Sequence, residues 1–253
     1  MTQYDRIYIS PHLDDVVLSC GGTVSQQTAA GETVLVITTF AGDPAPGPAL
    51  SPFAQQLHTR WETPKDATAT RRREDLAALR LLGAAGEHWA RADCIYRQTP
   101  SGAFPYDSEE SLWGNIHPAE ESLVDELAGR MLALPLAREG TLYAPLGVGG
   151  HVDHNIIHTA AITCGKSVVF YEDFPYSRDL KTVSSRLTSV RWESHLSMLT
   201  EKALDVKIAA IGCYRSQLST FWASLEAMGM DIRESSLRAG AGRPAERFWH
   251  QDL

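Results

Sequence analysis

Two short stretches hold residues of the types and spacings that chemistry needs. The first is Pro11-His12-Leu13-Asp14-Asp15, which offers an imidazole and two carboxylates within four residues. The second is His151-Val152-Asp153-His154, which follows a glycine-rich turn at 145–150. His12 and Asp15 are three apart at a turn from strand to helix, so both side chains can point to one side of it. Imidazole nitrogen and carboxylate oxygen suit zinc, which takes three protein ligands in catalytic sites and keeps one position open. His154, at the start of a helix, is the expected third ligand. A divalent metal lowers the pKa of a bound water towards neutrality. Asp14 cannot share the direction of its neighbour Asp15, so it is free to act as general base. His151 would face the substrate carbonyl from the opposite side. As an imidazolium it could stabilise the oxyanion or protonate the leaving amine. Asp153 would then hold the His151 ring and keep it protonated.

A bland alternative exists for each group. Asp14 or Asp15 could simply cap the following helix, and a His-Asp pair in a loop is often a turn. Two such motifs, each after a strand-like run, make coincidence a poor account. The isolated histidines 58, 88, 117, 158, 195 and 250 are read as structural.

The elements that must position these groups are legible in outline. Residues 6–10 read as a strand and 16–30 as a helix closed by Gly31. Residues 33–39 are a β-branched apolar run, the pattern of a strand buried on both faces of a parallel sheet. Strand, helix and strand make a right-handed βαβ unit, and ligands collect at the carboxyl ends of such strands. Pro- and Gly-rich residues 41–52 form a loop. A helix is expected over 65–82, with Leu76, Leu79 and Leu82 on its inner face. Residues 99–117 read as another loop, and Pro118 opens a helix to about 134. A strand at 141–144, a helix at 154–164 and a strand at 167–171 follow. Residues 192–217 read as mostly helical, with a helix near 222–230 and a closing strand at 246–249. Gly21 and Gly22, inside the first helix, imply close packing against a neighbour. The expected fold is α/β: a Rossmann-like three-layer α/β/α sandwich with a mostly parallel sheet, built as one domain over 1–253.

Composition narrows the function. The chain has 253 residues, 43% of them apolar, which suits a globular fold. A net charge of −8 argues against a nucleic-acid partner. Arg71 and Arg72 read as a solvated helix face. Cys20, Cys94, Cys164 and Cys213 are scattered, which fits buried thiols in a reducing compartment. No signal peptide and no membrane span is evident, so a cytoplasmic location is the default expectation. A homo-oligomer is compatible with the sequence.

The two motifs together resemble the PIG-L/LmbE family of zinc-dependent N-deacetylases. Arg73-Glu74 with Leu82-Gly83, Lys207, and Tyr214-Arg215-Ser216-Gln217 are similar to further segments of that family. The resemblance implies His12, Asp15 and His154 as ligands of one zinc ion, although a His/Asp site also takes other divalent ions. It implies Asp14 as base and His151 as the electrostatic or acid group. It also implies Arg73 and Asp43 as sugar contacts. Family members with a tyrosine before the second motif differ from this chain, which has Gly149 and Gly150 there; Tyr176 is the candidate substitute. The expected substrate is a small N-acetylated sugar or glycoconjugate of the N-acetylglucosamine type. Aromatic residues in the loops at 41–64, 99–117 and 172–190 would set its identity. Alternatives are a metal-dependent phosphoesterase, for which positive clamps are scarce, and an inactive sugar-binding relative. A nucleotide-binding Rossmann protein is disfavoured because no GxGxxG follows the first strand.

Overall fold

The computed structural model describes residues 2–45, 50–60, 67–188 and 191–251. The start expected for the third helix at Lys65, and parts of the loops at 41–64 and 172–190, lie outside the described residues.

Among the described residues, seven strands form one sheet in the order β3-β2-β1-β4-β5-β7-β6. They are β1 (Tyr4–Ser10), β2 (Val34–Thr38), β3 (Ala85–His88), β4 (Leu136–Pro145), β5 (Val168–Tyr171), β6 (Trp192–Met198) and β7 (Ala245–Gln251). The first five pair in parallel, and β7 runs antiparallel to both β5 and β6. From β1 the chain winds outward through β2 to β3, whereas β4 and β5 lie on its other side. The β1–β4 seam is therefore the point where strand order reverses, the place where ligands bind in open α/β sheets. Both motifs leave the carboxyl ends of these two strands.

Side-chain alternation explains why both faces are covered. Ile7, Ile9, Leu35, Ile37, Leu142, Ala144 and Phe170 point to one face. There they meet α4 (Glu121–Leu132) and α5 (Val152–Thr163) through Leu127, Met131, Ile156 and Ile157. Tyr8, Val34, Val36, Tyr143, Val169 and Tyr171 point to the other face. They meet α1 (Asp15–Ala29), α3 (Ala67–Leu82) and α7 (Glu201–Ile211). Tyr8 and Tyr143 stack across the seam with ring centroids 4.2 Å apart. Fully burying one such large apolar side chain contributes about 1.5–3 kcal/mol. The three-layer, mostly parallel architecture matches the expectation.

Five readings need correction. Residues 192–198 are strand β6, not helix; only α7 and α8 (Arg215–Phe221) of the stretch to 217 are helical. β6 lies at the sheet edge, bonded to β7 alone and largely exposed, so it lacks the apolar run of the inner strands. The edge strand β3, with the sequence Ala-Gly-Glu-His, escaped notice for the same reason. α2 (Pro52–Arg60) follows the Pro- and Gly-rich loop, and the helix expected near 222–230 is α9, extending over Leu225–Ala239. Leu79 and Leu82 are buried in α3, whereas Leu76 is exposed.

The glycines in α1 pack as expected. A Cβ on Gly22 would stand 2.5 Å from a Leu199 methyl. At Cys20 the helix leaves helical geometry, with φ −135° and ψ 22°. Ser19 carbonyl, which Thr23 N–H would normally reach, instead accepts from Lys207 Nζ at 3.1 Å. The freed N–H groups of Gly22 and Thr23 donate to the Glu246 carboxylate, at 3.0 and 2.8 Å. Lys207 and Glu246, 2.7 Å apart and buried, thus bridge the interrupted helix.

Candidate active site at the strand-order switch

At the β1–β4 seam, Asp15 Oδ2 lies 3.3 Å from His12 Nδ1 and 3.3 Å from His154 Nε2. Two ligands about 2.0–2.1 Å from a tetrahedral zinc stand about 3.3 Å apart, so each of these two pairs has the spacing of joint ligands. Each histidine is braced from behind. His12 Nε2–H donates to Asp153 Oδ2 at 3.0 Å, and His154 Nδ1–H donates to Asp173 Oδ1 at 2.6 Å. A carboxylate on the far nitrogen fixes the tautomer that leaves the near nitrogen free for a metal. Asp173 also accepts Val148 N–H at 2.8 Å, tying the glycine-rich turn to the same carboxylate. Asp153 is fully buried and further paired with Arg97 at 2.7 Å, which itself bonds Glu120.

Other donor groupings are weaker. His151 has a ring nitrogen within 4.8 Å of ring nitrogens of His12 and His154. Its Nδ1, however, already accepts the backbone N–H of Asp153 at 3.2 Å, because His151 is the N-cap of α5. Asp93 stands behind His12 at 3.8 Å from Nε2, a nitrogen already engaged by Asp153. Cys94 is a buried thiol whose pKa burial pushes well up, so it offers no thiolate.

Asp14 holds the N-cap position of α1 but makes no side-chain cap bond. Its carboxylate lines the cleft, with Arg71 4.0 Å away. That cleft, about 130 Å³, also has His12, Asp15, His151 and Tyr176 on its walls. Larger cavities exist elsewhere, away from these groups. Tyr176 packs beneath the turn, where a Cβ on Gly149 (φ +87°) would stand 2.7 Å from its ring. Trp113 meets Tyr176 and His151 edge to face, each at 5.4 Å. The backbone of Trp113 bridges to His151, and Gly114 N–H donates to Gly150 carbonyl at 2.8 Å. The three loops expected at the mouth therefore reach the site through Leu57, Leu112 and Tyr176.

Three sequence expectations meet a different geometry. Asp153 braces His12, not His151, because at the second turn position of α5 its side chain swings under the first motif. With Nδ1 occupied as an acceptor, His151 carries its proton on Nε2. Burial, then the neighbouring His12, hold its pKa well below the usual value, so the ring is neutral, not an imidazolium. Arg73 is exposed and donates to Thr70, and Asp43 is an exposed partner of Arg72. Arg71 occupies the cleft instead. Helical phase carried that signal: Asp75, Ala78, Leu79 and Leu82 mark the buried face of α3, and Arg71 lies one turn before Asp75. The supportive segments do meet. Glu74 accepts from Ser216 N and Oγ, and Asp75 from Tyr214 Oη at 2.7 Å. Asp173 and Arg97 were missed altogether. An acidic residue at the carboxyl end of β5 was a usable signal for Asp173; Arg97 had none. Histidines 58, 88, 117, 158, 195 and 250 are not part of the cleft wall.

The electrostatics follow from the bracing. Burial opposes a charged His154, but the Asp15 charge and hydrogen bonds to Asp15 and Asp173 outweigh it and hold the pKa up to about 9. His12 is likewise raised against burial by its bonds to Asp15 and Asp153. Burial, then the adjacent Asp15, push Asp14 up to about 7, with Arg71 opposing. At neutral pH the metal-free protein therefore holds protons that a cation must displace. Metal binding is expected to release protons, and apparent affinity to rise as pH increases towards about 9. Calorimetry in buffers of different ionisation enthalpy reads this directly; zero proton release would contradict it. The raised His154 pKa also contributes stability to the metal-free protein. That contribution is complete below about pH 6.5 and is lost as pH rises through about 9.

A mostly parallel sheet with a braced His/Asp cluster and a free carboxylate at its switch point defines an α/β metal-dependent hydrolase. The family model for PIG-L, described as GlcNAc-PI de-N-acetylase, matches residues 7–164, and the chain belongs to that family. It is 28% identical to the 2'-N-acetylparomamine deacetylase of Niallia circulans, over 97% of this chain and 90% of the relative. It is 31% identical to the enzyme of the same name from Streptomyces fradiae, over 73% of this chain and 63% of that one. The crystal structure of the zinc-inhibited form of teicoplanin deacetylase Orf2 superposes with a TM-score of 0.81 at 30% identity, covering 96% of each chain. No helix among the described residues is long and apolar enough to cross a membrane.

Proposed function

We propose that this protein hydrolyses the N-acetyl group of an amino sugar carried within a larger conjugate, using one divalent cation held by His12, Asp15 and His154. The observation that carries this is the equal 3.3 Å spacing of Asp15 Oδ2 from two histidine nitrogens that are each braced by a carboxylate. Zinc is the proposed ion. A cation there supplies Lewis acidity to the amide carbonyl and acidifies the attacking water. Asp14, free of any capping duty, takes the proton from that water and returns it to the departing nitrogen. His151 donates from Nε2–H to the oxygen on which negative charge develops, as a neutral donor. Arg71 steadies Asp14 and reaches the sugar, while Tyr176 and Trp113 form an aromatic wall beside it. Asp153 and Asp173 hold the two ligating rings. The relatives named as deacetylases of 2'-N-acetylparomamine and of teicoplanin support a substrate of this kind.

The test is amine release from a panel of 2-acetamido sugars and their conjugates, with metal content measured on the same preparation. Chelator-sensitive release is expected; no release from any member would sink the proposal. His154→Ala is expected to lose the metal, whereas His151→Ala keeps it and loses roughly 10²–10³ in kcat. The reverse pattern would mean that the two histidines exchange roles. Asp173→Asn should weaken metal binding about 10–100-fold by freeing the His154 ring.

A further inference from the structure

Beside Asp14 a narrow side slot opens off the cleft. Leu18, Leu218, Phe221 and Trp222 line it, together with Asp14 and Gln217. Asp14, Leu18, Gln217 and Phe221 also line the main cleft, so the two spaces adjoin. The slot holds about 10 Å³, room for one water-sized group. A stable water needs two to four polar partners, and the polar atoms around the slot are turned elsewhere. Tyr214 Oη donates to Asp75 at 2.7 Å, Trp222 Nε1 to Asp231 at 2.7 Å, and Gln217 Nε2 to Ser216 Oγ at 3.2 Å. What remains is a carbon-lined recess with the proposed base among its lining residues.

We infer that this slot receives the acyl group of the substrate and restricts the enzyme to acetyl amides. The inference rests on the deacetylase reading and deepens it. In amide hydrolysis the water oxygen bonds to the acyl carbon, the C–N bond breaks, and a water proton ends on the nitrogen. The products are a free amine and acetate. The acyl carbon carries an oxygen, a nitrogen and an alkyl group. The oxygen faces His151 Nε2–H, and the nitrogen faces the cleft mouth, where the sugar must lie. The alkyl group takes the remaining direction. It stays close to Asp14, because Asp14 deprotonates the water that attacks the same carbon. An apolar space the size of one methyl opens there. Phe221 and Leu218, both on α8, line it, so acyl length is set by the end of this short helix.

The test is the kcat/KM series for N-acetyl, N-propanoyl and N-butanoyl glucosamine conjugates. Wild type is expected to lose roughly 10–200-fold per added methylene. Phe221→Ala, and separately Leu218→Ala, should raise the butanoyl-to-acetyl ratio at least about tenfold by lengthening the slot. A flat chain-length profile in wild type overturns the inference without any variant. So does an unchanged ratio in variants that still hydrolyse the acetyl amide. No amine from any substrate, the acetyl amide included, removes the deacetylase reading itself; normal acetyl turnover with a flat profile removes the slot alone.

Discussion

Asp14→Asn is expected to lose roughly 10²–10⁴ in turnover, the usual contribution of a general base, while its metal content stays at the wild-type level. The carboxylate does nothing structural that an amide would break. It makes no cap bond to α1, and its nearest ion-pair partner, Arg71, stands 4.0 Å away. The proposed ligands are other residues: His12 and His154 keep their geometry through Asp153 and Asp173. Asparagine also removes an anion that burial and Asp15 disfavour, so the folded protein should be no less stable at neutral pH. The informative combination is therefore full metal, unimpaired melting temperature and lost activity. Full activity in this variant would eliminate Asp14 as the base, and lost metal would make it a ligand.

Lys207→Met is expected to destabilise the protein by about 3–5 kcal/mol, because it strands a buried carboxylate without its cation. For a chain of this size that corresponds to a fall of about 6–20 °C in melting temperature. Glu246 cannot retreat to solvent. It is tied to Gly22 N–H, Thr23 N–H and Thr23 Oγ1 at 3.0, 2.8 and 2.6 Å. It also lies in a space where even a glycine Cβ would collide with Leu199. The double variant Lys207→Met/Glu246→Gln should recover part of the loss, since an amide can still accept from the freed backbone donors. A melting temperature that stays at the wild-type value in Lys207→Met would mean that the bridge across the α1 kink contributes nothing. The pair bonds to α1 one to two turns beyond Asp15, so the same variant tests whether the helix of this proposed ligand depends on it.

The inner strands and both motifs were legible because burial on two faces leaves an unmistakable run such as Val34-Leu35-Val36-Ile37, and the motifs follow such runs directly. β6 was not legible, because an edge strand with one neighbour needs no apolar face. The residues proposed as ligands come together as their spacing suggested, but their braces could not be read from it. Whether Asp153 turns towards His12 or His151 depends on how α5 docks against β1, a tertiary fact with no local signature. Arg97 and Asp173 belong to the same category: they reach the site across the sheet, not along the chain. Arg71 is different. Its position followed from the helical phase of Asp75, Ala78 and Leu79, and its neighbour Arg73, two residues on, points to solvent.

The β1–β4 pairing has a consequence for how the chain is made. His12 and Asp15 emerge early in synthesis, but His154 and its brace Asp173 follow only after well over half of the polypeptide, and Glu246 later still. Until then the nascent chain carries two of the three proposed ligands, without the strand that places the third. On the proposed assignment, ion loading must await the second motif and β5, and an amino-terminal fragment that stops before β4 holds only two of the three proposed ligands.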